Sequence, residues 1–226
     1  MIRAGSFGAA ALQDTWECDP ATGVWNDRTP QGAKPPARAS FGMVYDTDRR
    51  RVVIFGGDLT GWQGQLQDVW EWDGAAGTWT DRTVAGPRPT VRAWHAMSYD
   101  AGRRKVVVFG GALQGGADYQ DTWEWDPVNG AWTDRTTGGL KPSAREAAAM
   151  VYDGDRDVHV LYGGWDGGYP LDTWEWNGSS GVWANRAVAG ARPSGRTAPA
   201  MAYDVLRKRA VLFGGYYNVS FPADAL

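Results

Sequence analysis

Four arginines in matching positions of a repeated sequence have the clearest chemical capability in this 226-residue chain. They recur about every 50 residues, and each precedes a segment that ends in Gly-Gly. The four are Arg38, Arg92, Arg145 and Arg196. A guanidinium presents five N–H donors in a planar fork, so a ring of them could bind an anion. Because they recur in every copy, we favour a structural role, in which they bond carbonyls or acids of the adjoining repeat unit, with the anion site as the alternative.

Two titratable side chains beside these arginines could transfer protons. His95 lies shortly after Arg92, and Glu146 directly follows Arg145 at a position where the other copies have Ala or Thr. In an enzyme, His95 and Glu146 would be the acid/base pair, and Arg92 or Arg145 would hold a substrate carboxylate. The alternative for His95 is a polar role in the scaffold.

Aromatic side chains are concentrated in segments that differ between the copies. These segments are the loops after each Gly-Gly and the positions shortly after each arginine. Loops on a rigid scaffold often carry binding sites, and aromatic faces beside guanidinium groups suit sugars, carboxylates or peptide side chains. We therefore predict a site for a protein, a peptide or a glycan, formed by Arg38, Phe41, Trp62, Arg92, Trp94, His95, Tyr119, Arg145, Glu146, Trp165, Tyr169, Arg196, Tyr216 and Tyr217.

Several kinds of chemistry have no motif in this sequence. Two histidines and one cysteine cannot build a closed Cys/His metal site, and there is no P-loop, dinucleotide fingerprint or Gly-x-Ser-x-Gly motif. We therefore predict no metal and no cofactor. The net charge of −3 argues against a general nucleic-acid binder. No apolar run is long enough to span a membrane, so we predict no membrane partner.

The sequence leaves the cellular compartment open. The first residues, Met1 to Ser6, lack the apolar core of a signal peptide, so we expect a cytoplasmic protein or an excised extracellular domain. The single cysteine, Cys18, allows no intrachain disulfide. It aligns with Trp72 and Trp125 of other copies, so we expect it to be a small buried side chain.

Each repeat has two halves, which together predict four strands. The first half contains a short strand, a polar turn and a continuous apolar run such as Val52 to Phe55, which is typical of a strand buried on both faces. The second half is a tryptophan hairpin, in which Trp123 and Trp125 of one copy lie on the same face. If its turn closes symmetrically, Asp121 faces Arg135 across the hairpin.

An apolar strand that ends in Gly-Gly, followed by a tryptophan hairpin, resembles a Kelch repeat. The copy most similar to the pattern has Val107 to Gly111, then Thr122 to Pro127, then Trp132. The resemblance covers nearly the whole chain and implies an all-β fold, a β-propeller of four-stranded antiparallel blades. It also implies that the first strand of each blade is innermost, so the variable positions after each arginine would line the channel mouth. Kelch repeats often carry histidine at the position of His95.

The chain begins with a second half and ends with a first half, which predicts how a ring could close. Arg3 to Ala9 looks like a weaker copy of the Gly-Gly strand, and we expect Arg209 to Gly215 to occupy that position instead. A longer array and two chains sharing one larger ring are alternatives, so we expect a monomer or a homodimer. We expect a single domain over 1–226, with blades at about 38–83, 92–136, 145–187, and 196–215 combined with 14–29.

A propeller fold alone does not define a function. The variable aromatic rim and the missing catalytic motifs predict a non-catalytic binding module for a peptide, a protein or a glycan. One alternative is a metal-free enzyme that uses His95 and Glu146, because some Kelch propellers resemble sugar-acid epimerases or mutarotases. The other alternative is a structural repeat array without a ligand.

Overall fold

The computed structural model describes residues 11–59, 64–186 and 190–217. The elements within these ranges are all strands, which confirms the all-β prediction. In the same ranges, no helix is long and apolar enough to cross a membrane. The strands are β1 (Trp16–Asp19), β2 (Val24–Asp27), β3 (Gly42–Asp46), β4 (Arg51–Phe55), β5 (Val69–Asp73), β6 (Thr78–Asp81), β7 (Ala96–Asp100), β8 (Lys105–Phe109), β9 (Thr122–Trp125), β10 (Trp132–Asp134), β11 (Ala149–Asp153), β12 (Val158–Tyr162), β13 (Thr173–Asn177), β14 (Val182–Asn185), β15 (Ala200–Asp204) and β16 (Arg209–Phe213).

Three complete blades lie in the middle of the chain. Each is a four-stranded antiparallel sheet in which the strands pair in chain order: β3 to β6, β7 to β10 and β11 to β14. At the two ends, β1–β2 and β15–β16 form separate two-stranded sheets. The first has the position of an outer half-blade, and the second has the position of an inner half-blade. That these end segments combine into one blade stays a prediction, and the segment Arg3 to Ala9 lies outside the described residues.

The core lies between the blades because the second strand of each blade is apolar on both faces. Along β8, Val106, Val107, Val108 and Phe109 are all at most 1% exposed. Successive side chains point to opposite faces of a strand. One face of β8 therefore joins the cluster of the preceding blade, through Val106 and Val108, and the other joins the cluster of the following blade, through Val107 and Phe109. Each blade thus depends on its neighbours for burial.

A chain of backbone hydrogen bonds links the innermost strands. The N–H of Trp94 donates to the Ser40 carbonyl (2.9 Å), that of Ala147 to the Trp94 carbonyl (2.7 Å), and that of Ala198 to the Ala147 carbonyl (2.8 Å). All four residues have φ between 50° and 58°, in the left-handed region that L-residues seldom adopt. The varied sequences at these positions gave no sign of this shared conformation.

The glycine pairs let neighbouring blades approach each other closely. Gly110 and Gly111 have φ of 65° and 95°. A Cβ atom on Gly110 would lie 2.6 Å from the Arg145 carbonyl oxygen of the next blade. The N–H of Gly111 donates to that same carbonyl, at 2.9 Å. A side chain at either glycine would therefore separate the two blades.

Two predictions were wrong in detail. The tryptophan hairpins are shifted by one residue from the symmetric register: Asp134 pairs with Trp123, and the Arg135 N–H donates to the Thr122 carbonyl, so Asp121 does not face Arg135. The shift arises because the centre of the turn falls between two residues, whereas the symmetric register assumed one central residue. Cys18 is exposed rather than buried, because it lies on β1 of a two-stranded sheet that has a blade on only one side within the described residues.

Candidate functional site

The inner strand starts and the loops after Gly-Gly meet at one rim, as the sequence predicted. Isolated antiparallel bridges join the residue after each arginine to the beginning of the loop that follows Gly-Gly. In the third blade, for example, the Glu146 N–H donates to the Trp165 carbonyl at 3.0 Å, and the reciprocal bond is 2.8 Å. The bridged pairs are Ala39 and Asp58, Ala93 and Ala112, Glu146 and Trp165, and Thr197 and Tyr216.

On one side of this rim, three of the predicted aromatic side chains form a continuous row. Trp165 packs edge-to-face on Tyr169, with ring centroids 4.9 Å apart, and Tyr169 packs in the same way on Tyr217, at 5.2 Å. Tyr217 belongs to the loop of the following repeat, so the row crosses from one repeat to the next. Tyr216 and Tyr217 are both more than half exposed. The row offers apolar ring surface with hydroxyl groups at its edge.

On the other side of the rim, the predicted aromatic residues are dispersed. Phe41 is exposed, and Trp94 is half-buried in the left-handed conformation. Tyr119 lies under the Arg92 guanidinium, whose carbon is 4.3 Å from the ring centroid. This stacking assigns Tyr119 to the scaffold as much as to a surface. Trp62 lies outside the described residues.

Three of the four predicted arginines are held in buried clamps. The two Nη atoms of Arg92 donate to the two carboxylate oxygens of Asp121, each at 2.7 Å, and Nη1 also donates to the Gly110 carbonyl. Arg38 forms the same clamp with Asp68, and Arg145 forms it with Asp172. Each of these acids begins a tryptophan hairpin, so the clamp joins the two halves of a blade. This geometry favours the structural role of the arginines over the anion site. The prediction that their partners belong to the adjoining blade was wrong, because Arg92 bonds Gly110 and Asp121 of its own blade.

The clamps also change the acidity of their carboxyl groups. Burial alone would raise the pKa of Asp68, Asp121 and Asp172, but the hydrogen bonds and charges of the paired arginines outweigh it and lower the pKa of each. Each acid also accepts a hydrogen bond from the indole N–H of the tryptophan two residues later. The carboxylates are therefore ionised and fully engaged within their own blades.

Arg196 carries only part of this clamp. It donates to the Ser194 and Gly214 carbonyls, at 3.0 and 2.9 Å, as its counterparts do. Within the described ranges it forms no ion pair with a carboxylate, and it is half-buried where the other three arginines are buried. The fourth predicted arginine is thus the one whose guanidinium retains donors for another group.

His95 is buried inside the blade rather than open to the rim. Its ring packs on Phe55 of the preceding blade, with centroids 5.1 Å apart, and neither ring nitrogen has a hydrogen-bond partner in the described part of the chain. Burial first, and then the Arg92 charge, lower the pKa of His95 to about 3. His95 is therefore neutral at pH 7 and shielded from any rim ligand.

The arrangement of His95 and Glu146 does not favour an acid/base pair. The His95 ring packs on Phe55 of the first blade, whereas Glu146 is half-buried at the start of the third blade, where its backbone bridges to Trp165. No group of three His, Cys, Asp or Glu side chains that could hold a metal ion occurs among the residues the structure describes. Two shallow clefts, of about 310 and 400 Å³, have none of the predicted site residues in their linings.

The sequence reasoning missed the acids of the clamps as partners of the arginines. Asp68, Asp121 and Asp172 begin each copy of the hairpin, so their recurrence was a signal that could have identified them. These acids were missed because they were expected to pair with the arginine at the far end of the hairpin. That arginine, Arg135 in the second blade, instead donates to Glu124 and to the Gly178 carbonyl of the next blade.

Sheets that repeat in chain order, with buried clamps and inner strands bonded to one another, define a protein built from propeller blades. The chain belongs to the Kelch-repeat family, because the model of the KLHDC2/KLHL20/DRC7 Kelch-repeats domain matches residues 2–218.

Three curated relatives illustrate the range of proteins that carry similar sequence. The chain is 34% identical over 92 residues (41% of the chain) to dynein regulatory complex subunit 7 of Chlamydomonas reinhardtii. It is 28% identical over 158 residues (69%) to the Rab9 effector protein with kelch motifs of Bos taurus, and 26% identical over 225 residues (93%) to galactose oxidase of Gibberella zeae. The matched segments cover 8%, 41% and 30% of these relatives.

Proposed function

We propose that this protein is an interaction module that binds an exposed segment of a partner protein at the rim formed by the loops after Gly-Gly. The observation that carries the proposal is the row of Trp165, Tyr169 and Tyr217. Rigid aromatic side chains supply contact area at a low cost in conformational entropy, and they are frequent among the residues that dominate binding energy.

The relatives support a protein ligand over a small one. Two of them are named for work with other proteins, as a Rab9 effector and as a subunit of a dynein regulatory complex. A row of rings along an open rim also fits an extended peptide segment. A glycan would use the same aromatic faces, so it is kept as an outcome of the test.

Selection of a random peptide library on the protein, together with a glycan array, tests the proposal. We expect selected peptides whose affinity falls about 30-fold or more in Trp165→Ala or Tyr217→Ala, which is the size of a dominant contact. Val128→Ala is the matched control, because Val128 is an exposed apolar side chain on the turn between β9 and β10. The melting temperature of every variant should stay unchanged.

Two results would contradict the proposal. Peptides that bind Trp165→Ala and Tyr217→Ala as tightly as the unchanged chain would place the site elsewhere. Binding of glycans without any peptide would replace the protein ligand by a carbohydrate. The enzyme alternative receives no support from the geometry of His95, which is buried and neutral.

A further inference from the structure

The loop that carries Trp165 and Tyr169 is held by contacts on two sides. Asp166 accepts a hydrogen bond from the Ser143 hydroxyl of the preceding connector at 2.6 Å, and another from a backbone N–H of its own loop at 3.2 Å. A Cβ atom on Gly195 would overlap the Tyr169 carbonyl oxygen, so the loop also rests directly on the start of the next repeat. The aromatic row is therefore preorganised, which lowers the entropic cost of binding a ligand there.

The rings of the row stand at steep angles to one another. The planes of Trp165 and Tyr169 are inclined by 70°, and those of Tyr169 and Tyr217 by 66°. The three rings thus form two corners rather than a flat stack. Corners made of tryptophan and tyrosine are typical of the aromatic cages that bind cationic groups, because each ring presents a negative face.

The segments that form the rim contain acids and no bases. No lysine or arginine occurs in the four loops after Gly-Gly, or between each rim arginine and the strand that follows it. The charged residues of these segments are Asp58, Asp118, Glu146 and Asp166. Two of the four flank Trp165, since Glu146 bridges to its backbone and Asp166 follows it in the chain.

The arginines that border these segments are already engaged. Each of the three buried clamps pairs one guanidinium with one carboxylate, so the clamps add no net charge to the rim. All three nitrogens of Arg196 donate, to the Ser194 carbonyl, the Ser194 hydroxyl and the Gly214 carbonyl. Arg192 lines a cleft with Asp172 in which no residue of the aromatic row takes part. With Arg196 counted, the acids of the rim segments still outnumber the cations.

Basic runs lie at the opposite end of the blades. The turn that joins the first two strands of a blade is at the far end of the sheet from Gly-Gly, and it carries Arg49 to Arg51 in the first blade and Arg103 to Lys105 in the second. In three connectors between repeats, Lys34, Arg88 and Lys141 donate to carbonyl oxygens of their own connector. The distribution of charge therefore distinguishes the rim from the other end of the blades.

We propose that the rim binds a basic segment of the partner protein, in which a lysine or arginine side chain stacks on the row of Trp165, Tyr169 and Tyr217 while Asp166 and Glu146 balance its charge. A ring face attracts a cation within about 6 Å of its centroid, and complementary charge selects the correct partner and speeds its association. An acidic segment would instead meet like charge. This proposal rests on the proposed function and names the chemistry of its partner.

Three pools of capped random peptides, which differ only in a central arginine, glutamate or glutamine, test the proposal. Retention of the arginine pool on the immobilised protein should exceed that of the glutamine pool on the order of 5-fold, with the glutamate pool retained least. Asp166→Asn should remove most of this preference, because asparagine keeps the contacts with Ser143 and Gly168 but not the charge. Asp81→Asn is the matched control, because Asp81 also accepts from the N–H two residues later, at the end of an outer strand of the first blade.

A second variant separates the ring face from its apolar area. Trp165→Leu keeps an apolar side chain but has no aromatic face, so retention of the arginine pool should fall about 5-fold, to the level of the glutamine pool. Citrulline in place of the central arginine is neutral and has the same shape, and it should have the same effect on the unchanged chain. The melting temperature of each variant should stay unchanged.

The outcomes distinguish this proposal from the proposed function. Equal retention of the arginine and glutamine pools, with both lost in Trp165→Ala, would overturn the basic segment and leave the interaction module in place. A preference for the glutamate pool that is lost in Arg196→Gln would also overturn it, and would assign the rim to an acidic segment. Retention of no pool, or retention that Trp165→Ala does not change, would contradict the proposed function and the basic segment with it.

Discussion

The second blade and the divided fourth repeat carry the same residues in different surroundings. In the second blade, Arg92 is fully buried and clamps Asp121 with two short hydrogen bonds. In the fourth repeat, Arg196 keeps the carbonyl bonds but is half-buried and has no acid partner within the described chain. The difference shows that the sequence motif alone does not bury its arginine. Burial comes from the hairpin that completes the blade and from the blades on either side.

The largest effect that distinguishes the two regions should come from the apolar strand. Phe109→Ala removes a ring packed in the cluster between the second and third blades, and should cost about 3–5 kcal/mol of unfolding free energy. Phe213→Ala, at the same position of the fourth repeat, should cost less than about 0.5 kcal/mol in the monomer, because that ring is exposed. Urea unfolding at low protein concentration measures both. Equal costs for both variants would contradict this comparison, because Phe213 would then be as well packed as Phe109.

A smaller effect is expected from the clamps. Arg92→Lys keeps the charge but loses the planar fork, so one ammonium must replace donors that bond both Asp121 oxygens and the Gly110 carbonyl. We expect a loss of about 2 kcal/mol, because buried acceptors are left unsatisfied. Arg196→Lys should cost less than about 0.5 kcal/mol in the monomer. Thermal melts of the two variants at low concentration make the comparison, and a large loss from Arg196→Lys there would show an intrachain clamp.

The repeat made most of the fold predictable from the sequence. A period of about 50 residues, with one apolar run and one tryptophan hairpin in each copy, was sufficient to predict four-stranded antiparallel blades. The register of the hairpins was not predictable by symmetry. The turn between Asp73 and Thr78 contains four residues and ends at Gly77, whose φ is 68°, so its centre falls between two residues.

The candidate site was predictable in its position and less so in its members. The bridge between Glu146 and Trp165 places the inner strand starts beside the loops, as the strand order required. Which side chains face outward depends on neighbouring blades, and no pattern within one repeat contains that information. His95 was therefore predicted beside the rim although its ring lies against Phe55, and Cys18 was predicted to be buried although it is exposed on β1.

The smallest expected effect is the dependence of unfolding free energy on pH. It concerns the middle blades alone, because both histidines lie in them. Burial lowers the pKa of His95 and of His159, whose ring lies between Ser98 and Asp100. The unfolded chain binds these protons at about pH 6.5 and the folded chain does not, so stability falls as the pH falls through that value. His95 should cost about 1 kcal/mol between pH 6.5 and 5.5, a range in which the aspartates do not yet titrate, and His159 should add to the loss in the same direction.

Replacement of His95 divides this pH effect. His95→Leu removes one of the two groups and should reduce the loss of stability between pH 6.5 and 5.5 by about 1 kcal/mol, as measured by urea unfolding at each pH. Because neither nitrogen of His95 is hydrogen-bonded within the described chain, the variant should lose little stability at pH 7.5. An unchanged pH profile would mean that His95 is protonated in the folded blade. Its ring would then have to reach the rim, and the burial that distinguishes the middle blades from the two-stranded sheets β1–β2 and β15–β16 would no longer hold for the second blade.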